Sequence, residues 1–84
     1  MNTHTPTQTQ PLNGGTQRLY SFPNGYGASV VRHDFSYGNA SGLWELAVLD
    51  SNGEITYSTH ITSDVLGWLS EDEVQSTLSQ IAAL

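Results

Sequence analysis

The chain has 84 residues, two of them arginine and none lysine, against eight acidic residues, for a net charge of −6. It has no cysteine, so disulfides and thiolate metal sites are excluded. Two cations cannot neutralise the roughly 6–10 phosphates of a typical nucleic-acid footprint, so no nucleic-acid partner is expected. An anionic membrane surface is disfavoured for the same reason, and no apolar run approaches the ~18 residues of a membrane span. The first ten residues are polar, so no secretory signal is expected. The length suits one small domain.

Residues 1–16 read as a disordered polar tail. The run Thr3 to Pro11 has nothing to bury, and Asn13-Gly14-Gly15 reads as a flexible joint. Order is expected from Gln17, and residues 17–84 form the domain. Arg18–Phe22 predicts a short strand, since Leu19, Tyr20 and Phe22 favour extended backbone. Pro23-Asn24-Gly25 then turns the chain into a second strand over Tyr26–His33. Tyr26, Ala28, Val30 and Arg32 share one face of it.

Residues 34–42 read as a loop carrying Phe35 and Tyr37. Leu43–Leu49 is the strongest strand and is apolar on both faces, which predicts a central strand covered on both sides. Glu45 interrupts it, which places it either at the solvent edge of a face or in an ion pair with Arg18 or Arg32; the ion pair is favoured, since a buried unpaired carboxylate is costly. Asp50-Ser51-Asn52-Gly53 predicts a type I turn closed by a left-handed glycine, pairing Leu49 with Ile55 and Ala47 with Tyr57, in preference to a two-residue Asn52-Gly53 loop that would pair Val48 with Tyr57. Glu54–Thr59 is the expected partner strand.

Ile61–Leu69 suggests one short helical turn capped by Thr62 or Ser63. Ser70 and Glu73 then form a capping box. Val74, Leu78, Ile81 and Ala82 form an apolar stripe meant to pack on a sheet. The expected fold is α+β: an antiparallel sheet of about four strands, as two hairpins, with a C-terminal helix packed on one face.

No constellation of residues carries catalysis. Glu71, Asp72 and Glu73 suit a helix start, and Asp50 and Asp64 suit turn and cap roles. There is no Gly-x-Ser-x-Gly elbow, and no enzyme is expected. His4, His33 and His60 lack metal-ligand spacing, so no metal or cofactor is expected. The candidate binding residues are Arg32, Tyr26 and Tyr37, an anion contact with aromatic platforms. Asn24 in the turn, His33 beside Arg32, and Trp44 on the apolar strand join them. One helix cannot cover both faces of the central strand. The short Val65–Leu69 segment, a second subunit or another protein must supply the second cover.

The strings Phe22-Pro23-Asn24-Gly25-Tyr26-Gly27-Ala28-Ser29-Val30-Val31-Arg32, Gly42-Leu43-Trp44-Glu45-Leu46-Ala47-Val48-Leu49-Asp50 and Ile61-Thr62-Ser63-Asp64-Val65-Leu66-Gly67-Trp68-Leu69 resemble a family of small uncharacterised accessory proteins. These are encoded by bacteriophages and prophages of actinobacteria. The resemblance spans residues 18–84. It implies a protein made in the bacterial host cytoplasm that binds a host or phage protein, with counter-defence as one such role. A homo-oligomer is the expected assembly. The alternative is an oligomeric binder of a nucleotide signal, using Arg32, Tyr26 and Tyr37.

Overall fold

A computed structural model describes residues 4–33, 39–59, 61 and 65–84. Five strands run in chain order: β1 (Gln8–Leu12), β2 (Gly15–Ser21), β3 (Gly27–Arg32), β4 (Trp44–Leu49) and β5 (Leu66–Leu69). Each pairs antiparallel with the next, giving a meander. Helix α1 (Glu71–Ala82) packs against β3, β4 and β5. The fold is therefore α+β, with one strand more than expected.

The extra strand corrects the expected tail. Leu12 pairs with Gly15, and Gln8 through Pro11 pair with β2. Asn13 and Gly14 between them both have positive φ, 47° and 82°. A two-residue hairpin loop needs that backbone, and Asn-Gly supplies it with little strain. The segment is polar because an edge strand leaves much of its surface to water.

The second half of the meander corrects two further expectations. The Asp50–Gly53 turn forms as expected: Gly53 donates to the Asp50 carbonyl at 3.0 Å, and Leu49 bridges Ile55. Thr56 N–H reaches the Val48 carbonyl at 2.9 Å. Pairing then stops, and Glu54–Thr59 is not a strand. The Thr56 hydroxyl instead contacts Ser58 Oγ at 2.9 Å, a local bond that competes with a ladder. The vacated edge of β4 is taken by β5, where a helical turn was expected. Its capping candidates Thr62 and Ser63 lie outside the described residues.

The expected helix forms with its full capping box. Ser70 Oγ accepts the Glu73 N–H at 3.2 Å, and Glu73 Oε1 accepts the Ser70 N–H at 3.0 Å. Val74, Leu78 and Ile81 are fully buried and meet Trp44, Leu46 and Val48 of β4, with Ala28, Val30 and Tyr20. Each such burial contributes about 1.5–3 kcal/mol for a Val, Leu or Ile. One face of β4 thus lies under the helix. On the other face no helix lies over the sheet among the described residues, although Ala47 is buried and Leu49 half-buried there; Leu66–Leu69 adds an edge strand in place of the expected second cover.

Candidate functional site

The candidate residues separate into two groups at opposite ends of the sheet. At one end, β2 and β3 place Arg18 and Arg32 on the helix-side face, flanking the buried Trp44. The Arg18 guanidinium carbon lies 4.1 Å from the Trp44 ring centroid and that of Arg32 lies 4.4 Å from it. Arginine planes over an indole face are favourable cation–π partners. Arg18 also donates to Glu71 at 3.1 Å, tying the start of α1 to β2. Partial burial pulls the Arg18 pKa down, but the Glu71 carboxylate outweighs it and the net shift is upward. Burial raises the Tyr20 hydroxyl, with Arg18 partly opposing it. Arg32 donates to the Gly42 carbonyl at 3.3 Å. Among the described residues Arg18 pairs with Glu71 rather than with Glu45 as expected, and Arg32 reaches the Gly42 carbonyl. Glu45 opposes Val31 on the far face of the sheet, so it points away from both.

At the other end, Asn24 and Tyr26 sit in the β2–β3 turn. Asn24 Nδ2 donates to the carbonyls of Ile81 (2.9 Å), Ala82 (3.1 Å) and Leu84 (3.3 Å), closing the C-terminus of α1. Its Oδ1 accepts the Tyr26 N–H at 3.0 Å. Asn24 is thus a cap supplied by a distant turn, which satisfies carbonyls a helix end leaves open. Tyr26 packs partly against the core. It lies six residues, roughly 20 Å of extended chain, from Arg32. The two do not converge. His33 follows β3 beside Gly15, where an added Cβ would come within 2.6 Å of the His33 Cα. Tyr37 lies outside the described residues.

The face away from the helix was legible only as an apolar side lacking a cover. Its register positions are Gln8 and Gln10 on β1, Gln17 and Leu19 on β2, Ser29 and Val31 on β3, and Ala47 and Leu49 on β4. A side-chain relay crosses three strands there. Gln8 donates to Gln10 (2.7 Å), Gln10 to Gln17 (2.7 Å), and Gln17 to Ser29 Oγ (2.9 Å). Beyond β4 the surface turns apolar. Ile55 opposes Leu49, and Tyr57 follows just past the last backbone bond to β4, from Thr56 to Val48. Leu66 and Leu69 pair with Leu46 and Trp44, so Gly67 and Trp68 bulge together opposite Glu45. Ile55, Tyr57 and Trp68 are 50%, 52% and 60% exposed, the exposed large hydrophobics among the described residues. Ile55 registers on the open face opposite Leu49, and Trp68 lies in the bulge of β5 opposite Glu45.

Trp68 is also held at φ 61°, a left-handed conformation rare for a bulky side chain. That combination is the residue-level signal that composition could not supply. Among the described residues no cluster of three His, Asp or Glu could hold a metal ion. Comparison of the chain with protein-family models, with curated proteins and with solved structures returns no match.

Proposed function

We propose that this chain is a non-enzymatic bacteriophage accessory protein that acts by binding another protein through the open face of its sheet. The observation that carries the reading is Trp68, a large aromatic left 60% exposed in a left-handed backbone position. Such strain costs about 1–3 kcal/mol and clusters at functional positions. Ile55 and Tyr57 are two further exposed large hydrophobics, and tryptophan and tyrosine are typical anchors of protein interfaces. The glutamine relay of β1–β3 supplies neutral donors and acceptors farther across the same sheet.

The favoured occupant is a different, basic protein rather than a second copy. The chain's only two permanent cations lie on the opposite face, over Trp44. The acids Asp50 and Glu54 border the apolar strip. A copy of this chain therefore brings no basic surface to complement them.

The nucleotide-signal reading has less support. It needs Arg32 near Tyr26, and the sheet holds them at opposite ends of β3.

Affinity capture with two variants tests the proposal. The Tyr57→Ser, Trp68→Ser double variant is expected to lose the partner while staying folded. Asp72→Asn, on the exposed first turn of α1, should retain it. Equal capture by all three proteins contradicts the proposal.

A further inference from the structure

The molecule holds a groove at the turn end of the sheet, of about 300 Å³, between the β2–β3 turn and the Asp50–Gly53 turn. A second depression of about 200 Å³ adjoins it and shares Gly25, Tyr26, Asp50 and Ser51. Ser21 and Leu49, open-face residues of β2 and β4, border it, with Gly27 contributing no side chain between them. The groove is thus continuous with the proposed docking face. Among the described residues no arginine or histidine lines it, and its one charged group is Asp50.

We propose that this groove is a subsite for an arginine side chain of the bound protein, with Asp50 as counter-ion and the Tyr26 ring as stacking surface. The source of the arginine rests on the protein-binding reading; the chemistry of the groove does not. Asp50 is fixed in place by its own turn. Its Oδ1 accepts the Asn52 N–H at 2.9 Å and the Glu54 N–H at 3.1 Å. A carboxylate offers about four lone-pair sites, so capacity remains for a guanidinium. Charge-assisted pairs of this kind are roughly twice as strong as neutral ones. An aromatic face beside a carboxylate suits the planar, weakly hydrated guanidinium better than a compact ammonium. The chain's own arginines do not fill the groove. Arg18 and Arg32 are both held over Trp44 at the far end of β4, so an arginine for this groove must come from another molecule.

The test uses the full, isotope-labelled chain and two small probes, followed by amide chemical shifts. N-acetyl-arginine amide should shift the amides of Gly25, Tyr26, Gly27 and residues 51–53. It should saturate with a Kd of about millimolar, as expected for a ligand of that size. N-acetyl-citrulline amide, the neutral isostere, should bind at least about tenfold more weakly. Asp50→Asn keeps an Oδ1 acceptor for the turn and should lose about tenfold in affinity for the arginine probe. Tyr26→Leu keeps apolar contact with the core and should weaken binding severalfold. The dispersed remainder of each spectrum reports that the variant is folded. Equal shifts from the citrulline probe overturn the proposal. So does the absence of shifts at these amides, or unchanged affinity in folded Asp50→Asn. Any of these leaves the protein-binding reading standing, because that reading falls on Tyr57 and Trp68 instead.

Discussion

Asn24 offers a sharp test of how the helix is locked to the sheet. Its amide has two N–H groups and three carbonyls within reach at the end of α1. Two good bonds at about 1 kcal/mol each, with the Tyr26 N–H also losing its acceptor, set the cost of Asn24→Ala at about 2 kcal/mol, since part of the site is open to water. For a domain of this size that lowers Tm by about 8–16 °C. Asn24→Asp separates the donor role from the acceptor role. It keeps the oxygen that Tyr26 needs but turns a second oxygen toward the helix carbonyls, at the negative end of the helix dipole. At neutral pH it should be no more stable than Asn24→Ala. Repulsion raises the new carboxyl's pKa in the folded state. Stability should therefore be recovered as pH falls toward about 4, where the group protonates and can donate. Thermal melts followed by tryptophan fluorescence at pH 7 and pH 4 measure both effects. If Asn24→Asp melts with the native chain at pH 7, the amide does not hold the helix end.

Three further outcomes are expected. Trp68→Gly relieves the left-handed strain at an exposed site, so urea unfolding should show stability unchanged or raised by up to about 1 kcal/mol, with partner capture lost. Gly27→Ala should destabilise severely, because a Cβ there would sit 2.3 Å from the Tyr20 carbonyl oxygen; a Tm near that of the native chain would contradict the packing. The third concerns pH. The backbone N–H of Ser70 holds the Glu73 carboxyl below its ordinary range. A depressed folded pKa contributes stability above the unfolded value, about 4.3, and loses it as pH falls through the folded one. Glu73→Gln keeps an acceptor without a charge, so the stability gap between the native chain and this variant should change only in that acid window.

Legibility from the sequence followed locality. The Ser70–Glu73 box, the Val74, Leu78, Ile81 stripe and the Asp50–Gly53 turn depend on residues within a few positions, and all three form. Asn13-Gly14 was equally local, yet polar composition outweighed the turn signal that makes β1 a strand. Leu66–Leu69 was not legible. Its spacing suits a helical turn, and it becomes a strand because β4 leaves an edge unpaired beyond Val48, a fact of tertiary structure. The candidate site divides the same way. Alternation sets Tyr26 and Arg32 on one face but says nothing of the distance along it. Asn24 reads as a turn residue, and its role at the end of α1 is set by a helix 57 residues away. The uncovered face was legible as an imbalance between apolar sides and available helices. Trp68 at its edge was not, because it depends on a bulge.

The most direct measurement is native mass spectrometry of the tagged chain and its Trp68→Gly variant, each recovered from a lysate of the actinobacterial host that the proposed function implies. The account predicts that the native chain carries one further protein at fixed stoichiometry and that the variant, folded and equally abundant, carries none. A native chain recovered bare, as a homodimer, or with only a few hundred daltons of added mass would contradict it, as would a variant that keeps the partner.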